Sequence, residues 1–250
     1  MFKFDYFRLK ERKFNPKTPA SAIKAFEAEI LPIEVFIYKA TSIKPLDEEP
    51  YDLPGIERIL AKKDLDIKTN LLIMRILKKL IRNNEPEIAL FAAESINLIE
   101  NRYNKKIENL KKNLENNRNL NILFNISNLY YELSLLNSEA TAIRNFYLRE
   151  AYSYIKKVKL NEDTKFKIYK IYINILCDLK LYDQAIHILN NSADKEMKEN
   201  KYKYLLLEAE ISFRKRDFSR IFEISSELKK YENKLSESEK NIISYLLAGK

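Results

Sequence analysis

The side chains that most often carry catalysis or bind metals are nearly absent from this chain. Its 250 residues include one His, His187, and one Cys, Cys177. These two cannot supply the three or four ligands of a protein zinc site, and a single thiol cannot form a disulfide within the chain. The two glycines, Gly55 and Gly249, lie too far apart for a phosphate-binding or dinucleotide-binding loop. We expect Cys177 to be an unreactive thiol and His187 to serve the surface or packing.

Paired carboxylates are the remaining way to build an acid–base site. Such pairs occur at Glu48 with Glu49 and at Glu237 with Glu239. Hydrolytic use of a pair requires a pocket that changes the pKa values of its members. Both pairs fall in segments that we interpret as a loop and a helix cap, where they are expected to be solvated. We therefore predict a protein that is not an enzyme and has no cofactor and no metal site.

The charge and hydropathy of the chain favour a cytoplasmic protein. The net charge at pH 7 is +9, from 45 basic and 36 acidic residues. These alternate along the whole chain, so no segment forms the basic stripe that is typical of nucleic-acid binding. No apolar run reaches the roughly 18–20 residues of a membrane span, and the start of the chain lacks the apolar core of a secretory signal. A single Cys agrees with a reducing compartment.

Helices are the expected secondary structure. Hydrophobic residues make up 46% of the chain, enough for a buried core, whereas tight β-hairpins would need more than two glycines. Five of the seven prolines fall in residues 1–53, which we interpret as an N-terminal extension. Within it, Thr18 and Pro19 are typical of a helix start, and residues 42–53 are typical of a linker.

Residues 54–118 show apolar positions every three or four residues, the spacing of amphipathic helices. Pro86 interrupts the pattern where it suits the first turn of a new helix. The following helix carries a long apolar stripe, formed by Ile88, Ala92, Ile96, Ile99, Tyr103, Ile107, Leu110 and Leu114. A short helix followed by two long antiparallel helices resembles a HEAT-type repeat, and we predict such a unit here.

Residues 166–192 have the pattern of a helical hairpin. The first helix is predicted to end near Leu179, a turn follows at Lys180, and a second helix opens at Asp183. Small Ala185 is placed where the two helices cross, because a larger side chain would force them apart. This segment resembles a tetratricopeptide repeat, whose buried positions fall on Tyr169, Tyr172, Ile173, Leu176, Ala185, Leu189 and Ser192.

Two further copies align with this pattern. One starts at Tyr202 and has Ile221 at the crossing position. The other starts at Leu120, has Ala151 at the crossing position, and includes residues 136–147 as an insertion. The resemblance covers residues 120–232, and each copy departs from the family pattern by lacking the usual Gly and the terminal Pro.

A single hairpin of this kind cannot bury its apolar face, so successive hairpins are expected to stack side by side. Ser236 and Glu239 have the spacing of a capping box that begins a final helix, and Gly249 suits its C-terminal cap. The predicted fold is therefore all-α, an α-solenoid in which the HEAT-like unit precedes three tetratricopeptide-like repeats and a capping helix over residues 119–250.

The resemblance implies which residues contact a partner. In tetratricopeptide proteins the first helix of each hairpin lines a concave face that binds a peptide or a helix. Carried over to this sequence, the expected partner contacts are Asn121, Phe124, Asn128, Tyr131, Lys167, Lys170, Asn174, Lys203, Phe213 and Arg214. The same positions include Glu132, Cys177, Asp178, Leu206 and Glu210. An ordinary solvated surface is the alternative interpretation.

A narrower resemblance concerns residues 54–232. The stretch 85–110, followed by an enlarged first repeat at 130–158, is similar to the soluble part of the tetratricopeptide scaffold subunit of Pel-type bacterial exopolysaccharide export systems. That resemblance implies a non-catalytic scaffold that recruits other proteins, including subunits of a membrane complex, at the inner membrane. This chain departs from the family by having no transmembrane segment, which leaves a peripheral position. The alternative function is an RNA-binding helical-repeat protein, but three divergent repeats have little reach, so nucleic acid is not the expected partner.

Overall fold

The computed structural model describes residues 53–62, 64–116, 119–160, 165–191 and 201–248, with backbone alone at 116 and 245–248. Within these ranges the chain is helical and contains no strand, which confirms the predicted all-α class. The helices are α1 (Leu53–Leu60), α2 (Ile67–Leu80), α3 (Pro86–Asn116), α4 (Leu120–Leu136), α5 (Thr141–Ile155), α6 (Phe166–Asp178), α7 (Tyr182–Asn190), α8 (Lys201–Lys215), α9 (Phe218–Leu228) and α10 (Glu237–Ala248), with a 3-10 helix (Lys229–Lys234) between α9 and α10. The predictions for residues 1–52 and for Gly249 lie outside the described residues.

The chain divides into two compact units, Met1–Glu100 and Asn101–Lys250, and the division falls within α3. In the first unit, α2 begins at Asp66, whose carboxylate accepts a hydrogen bond from the backbone N–H of Thr69 at 2.9 Å. Such a cap satisfies a donor that the helix itself leaves open. The apolar residues that α1 and α2 bury are Ile56, Leu60, Ile73, Met74, Ile76, Leu77 and Leu80.

Helix α3 is 31 residues long and carries the predicted apolar stripe. Ile88, Ala92, Ile99, Tyr103 and Ile107 are all buried. Charged residues lie on the opposite side of the helix, as the pattern predicted, but Leu90 and Leu98 are also exposed there. Across the described ranges, no helix combines the length and the apolar character needed to cross a membrane.

The second unit contains three helical hairpins, and each first helix packs against the second helix of its own hairpin: α4 with α5, α6 with α7, and α8 with α9. Successive hairpins also touch. Helix α5 contacts α6, α7 contacts α8, and the first helices contact one another, α4 with α6 and α6 with α8.

Small residues lie in the interior of the hairpins, as expected. Ala151 and Ala185 are fully buried. In the first hairpin the Ser127 hydroxyl of α4 donates a hydrogen bond to the carbonyl oxygen of Ala151 in α5 at 2.8 Å. A side chain as short as serine can make this bond only where two helix backbones approach closely. Ser127 and Ala151 therefore lie where α4 and α5 approach each other closely.

The second and third hairpins turn in the same way. Lys180 and Arg216, thirty-six residues apart, both have left-handed backbone conformation, with φ of 63° and 65°. After α6, the Leu181 N–H donates to the Leu176 carbonyl at 2.8 Å; after α8, Asp217 and Ser212 form the same bond at 2.9 Å. This bond pattern is the Schellman motif that ends many helices. The backbone thus repeats where the two aligned sequence copies predict a turn.

The C-terminal helix begins at the predicted capping box. The Ser236 N–H donates to Glu239 Oε2 at 2.7 Å, and the Glu239 N–H donates back to Ser236 Oγ at 3.4 Å. Helix α10 contacts α9, and one buried cluster joins α8, α9 and α10. The cluster contains Leu205, Ile224, Leu228, Leu235 and Ile243.

Candidate functional site

Side chains from the three first helices of the hairpins meet at one carboxylate. The Tyr131 hydroxyl of α4 donates to Oδ2 of Asp178 in α6 at 3.2 Å. Arg214 of α8 donates from Nη1 to Oδ1 of the same carboxylate at 2.7 Å. Asp178 therefore links all three hairpins. We call Tyr131, Asp178 and Arg214, together with Arg144 and Glu210, the bridging cluster.

The two other members of the bridging cluster complete its charge balance. Arg144 Nη2 lies 3.4 Å from Asp178 Oδ1, and Arg214 Nη2 donates to Glu210 Oε1 at 2.7 Å. Sequence reasoning misses Arg144 because it belongs to the segment interpreted as an insertion. In the structure, residues 141–147 form the first turns of α5 and bring Arg144 to the carboxylate. Two guanidinium groups thus face two carboxylates.

Burial and neighbouring charges together shift the pKa values of two residues in the bridging cluster, Tyr131 and Arg214. Burial raises the pKa of Tyr131, and the negative charge of Asp178 raises it further, so the phenol stays a neutral donor. Burial alone would lower the pKa of Arg214, but Glu210 and Asp178 outweigh it and raise the pKa. Asp178 itself has a side chain that is 12% exposed. At neutral pH Tyr131 is therefore a neutral donor and Arg214 is charged, and hydrogen bonds and ion pairs join the members of the cluster.

Two predicted aromatic contacts are not exposed. Phe124 and Tyr131 are each 8% exposed, contrary to the expectation that aromatic side chains line an open concavity. A position at the edge of a helix's lining face also borders the neighbouring helix, so a large ring placed there can turn inward. Phe213, the third aromatic residue, is half-buried. The aromatic surface left for a partner is therefore small.

The predicted asparagines lie in different environments. Asn121 is exposed near the start of α4. Asn128 is half-buried and donates from Nδ2 to Oε1 of Glu132, one turn later, at 2.7 Å. Asn174 is half-buried too, and its Oδ1 atom is buried with no hydrogen-bond donor among the described residues. Only Asn121 presents a fully accessible amide.

The predicted lysines are the most accessible cations of this face. Lys167 and Lys170 are exposed on α6. Lys203 of α8 is half-buried, and its Nζ lies 5.7 Å from the centre of the Phe166 ring at the start of α6. The face therefore has two parts, with open ammonium groups near the N-terminal ends of α6 and α8 and the satisfied bridging cluster near their C-terminal ends.

A shallow groove of about 390 Å³ lies between α3 and α4. Its lining residues are Lys106, Asn109, Leu110, Asn125, Asn128 and Leu129. Lys111 of α3 donates to the Tyr130 hydroxyl of α4 at 2.8 Å and joins the two helices. Of the predicted contacts, Asn128 alone lines this groove.

The residues considered first for catalysis do not converge. Cys177 is 3% exposed, and burial raises its pKa to about 11, so the thiol is protonated at neutral pH. His187 is exposed in α7, with Nε2 2.9 Å from the Asn191 amide nitrogen. Within the described ranges, no group of three His, Cys, Asp or Glu side chains could hold a metal ion.

Comparison with protein-family models, curated proteins and solved structures finds no match to this chain.

Proposed function

We propose that the chain is a non-catalytic scaffold that binds a partner protein along the face formed by α4, α6 and α8, and that its hairpins form a tetratricopeptide-like solenoid. The contacts of α4 with α6 and of α6 with α8 support this proposal. In stacked hairpins the equivalent helices of successive repeats line the same side. The matching turns at Lys180 and Arg216 support a common repeat unit.

The bridging cluster is the observation that carries this proposal. Tyr131, Asp178 and Arg214 come from three successive hairpins and meet within hydrogen-bonding distance. Their contact requires the three helices to present one continuous surface. A surface built from several rigid helices, with accessible lysines beside a satisfied polar cluster, suits recognition of another chain better than chemistry on a small molecule.

The cellular setting follows from the sequence resemblance alone. We propose that the partner is a subunit of a bacterial exopolysaccharide synthesis and export complex. Co-purification of the chain with the synthase and export subunits from native membranes supports this setting, and co-purification with none of them contradicts it.

The binding face is tested with a photoreactive amino acid placed in living cells. The photoreactive residue replaces Asn121 or Phe213 on the proposed face. In the matched controls it replaces one of two exposed residues on second helices, Arg149 of α5 or His187 of α7. We expect both face positions to crosslink to the same protein and both control positions to give no such product, as identified by mass spectrometry. Equal crosslinking from both sets, or none from the face, contradicts the proposed function.

The same experiment tests RNA binding, which the open lysines favour as the second function. Crosslinks from Asn121 and Phe213 to RNA instead of protein support it, and ribonuclease treatment of the products distinguishes the two.

The variant Phe124→Ala is unsuitable as a test of the binding face, because removal of a buried ring costs about 3–5 kcal/mol of stability. A loss of binding in that variant would not distinguish the loss of a partner contact from the loss of folded protein.

A further inference from the structure

Three lysines form a basic surface on α6 and α8, which we call the lysine patch: Lys167, Lys170 and Lys203. Lys167 and Lys170 are three residues apart on α6, so they lie on the same side of the helix. Lys203 holds the position in α8 that Lys167 holds in α6. Its ammonium group lies 5.7 Å from the centre of the Phe166 ring, which places it beside the first turn of α6. The three positive charges therefore belong to one surface.

The lysine patch differs from the basic residues around it. Several of those form ion pairs with acids: Lys201 with Glu227, Lys215 with Asp183, Arg220 with Glu208, and Lys240 with Glu237. Within the part of the chain that the structure describes, no carboxylate pairs with Lys167, Lys170 or Lys203. Lys203 instead lies near two aromatic rings, Phe166 and Tyr202. Clustered charges of one sign repel each other. The acids that α6 and α8 place on this face, Asp178 and Glu210, are already bound by Arg214.

From this arrangement we propose that the lysine patch binds an acidic peptide segment of the partner, an inference that rests on the proposed scaffold function. An ammonium group offers three donors and no acceptor, so carboxylates are its natural complement. At the opposite end of the face, Arg144 and Arg214 are already paired with Asp178 and Glu210. Among the described residues of this face, the lysine patch is therefore the group of cations that the proposed acidic segment contacts.

The distance between the helices sets the spacing of the acids. Packed helices lie about 8–10 Å apart, and an extended chain advances about 3.3 Å per residue. An extended segment that reaches both α6 and α8 therefore carries carboxylates about two to three residues apart. Alternating acidic residues satisfy this spacing.

A nucleic acid fits the lysine patch less well than a peptide. Single-stranded nucleic acids bind where bases stack on accessible aromatic rings. Phe166 packs edge-on against Tyr204, with ring centres 5.1 Å apart, and Lys203 lies near its ring. Tyr202 is close to the ammonium groups of Lys203 and Lys234. These rings are engaged, and three lysines offer few phosphate contacts.

The test uses the full chain and three fluorescein-labelled probes, measured by anisotropy. The probes are a ten-residue peptide with Asp or Glu at alternate positions, the same peptide with Asn and Gln in those places, and a ten-nucleotide oligouridine. We expect the acidic peptide to bind at least about tenfold more tightly than the amide peptide. Its binding should weaken as NaCl rises from about 0.1 M to about 1 M, because screening shortens the range of charge attraction.

The variant Lys167→Glu/Lys170→Glu is compared with Lys105→Glu/Lys112→Glu, which makes the same charge change at two exposed positions of α3. The patch variant is expected to lose at least about tenfold in affinity for the acidic peptide and the control less than about twofold, with unchanged circular dichroism in both. No binding of the acidic peptide, equal binding of the amide peptide, equal losses in both variants, or tighter binding of the oligouridine each overturns the inference.

The crosslinking experiment separates this inference from the proposed function. If the patch variant still crosslinks the partner from Asn121 as well as the unmodified chain does, the face binds a protein and the acidic-segment inference is wrong. If the unmodified chain crosslinks nothing from the face, the scaffold function itself is wrong.

Discussion

Replacement of Asp178 by asparagine is expected to loosen the contact among the three hairpins. The substitution keeps the size of the side chain and removes its charge. It leaves Arg214 with Glu210 as its remaining acid, removes the carboxylate from Arg144, and leaves Tyr131 with an amide group as its partner. Because Asp178 is 12% exposed, water can replace little of what is lost.

The size of the effect follows from these contacts. A hydrogen bond to a charged group contributes about 1.5–3 kcal/mol, and an ion pair as exposed as that of Arg144 contributes about 0.2–1 kcal/mol. The asparagine oxygen can still accept one of the two hydrogen bonds. We therefore expect Asp178→Asn to lower the free energy of unfolding by about 2–4 kcal/mol.

Asp183→Asn provides the matched control. Asp183 also pairs with a basic residue of α8, with its Oδ1 2.9 Å from Lys215 Nζ, but its side chain is 90% exposed. Because this pair is open to water, its loss is expected to change the free energy of unfolding much less than Asp178→Asn does, and added salt should reduce the effect further. Urea unfolding of both variants, followed by circular dichroism, measures the difference. Equal losses, or a loss below about 1 kcal/mol for Asp178→Asn, would refute the structural role of the bridging cluster.

Two further predictions concern single titrating groups. Because Cys177 is buried and its pKa is raised to about 11, iodoacetamide at pH 8 should modify it slowly in the folded chain and rapidly in urea; mass spectrometry showing equal rates would contradict the burial. Hydrogen bonds from the Thr69 side chain and backbone lower the pKa of Asp66 below its ordinary value of 3.8. The charged carboxylate therefore stabilises α2 above pH 3.8, and this stabilisation is lost as the pH falls through the lowered pKa. Asp66→Ala should therefore cost about 1 kcal/mol at pH 7 and less in acid, as measured by hydrogen exchange in α2, and a cost independent of pH would contradict the assignment.

The sequence predicted the helices well because their signals are local. The apolar stripe of α3 and the capping box at Ser236 and Glu239 depend on residues within a few turns of each other, and both are found as predicted. The start of α5, the second helix of the first hairpin, was harder to predict. Residues 141–147 have the composition of a helix but no counterpart in the other copies, so the alignment assigned them to an insertion although they begin α5.

The site was harder to predict than the fold. Alignment of the repeats brought Tyr131, Asp178 and Arg214 to one face, but it could not show that they bind one another, because that depends on the distance between separate hairpins. The burial of Phe124 has the same origin, since the sequence gives the face of a helix and not how closely the next helix approaches it. Arg144 carries no sequence signal that distinguishes it from any other surface arginine.

The turns at Lys180 and Arg216 show where glycine is not needed. Left-handed geometry at a residue with a Cβ atom costs roughly 1 kcal/mol. The chain accepts that cost at both of these turns, while its two glycines lie elsewhere in the sequence. The packing of the helices on either side must therefore offset that cost at both bends. A sequence search that relies on glycine to mark the ends of helices would miss both of these hairpin turns.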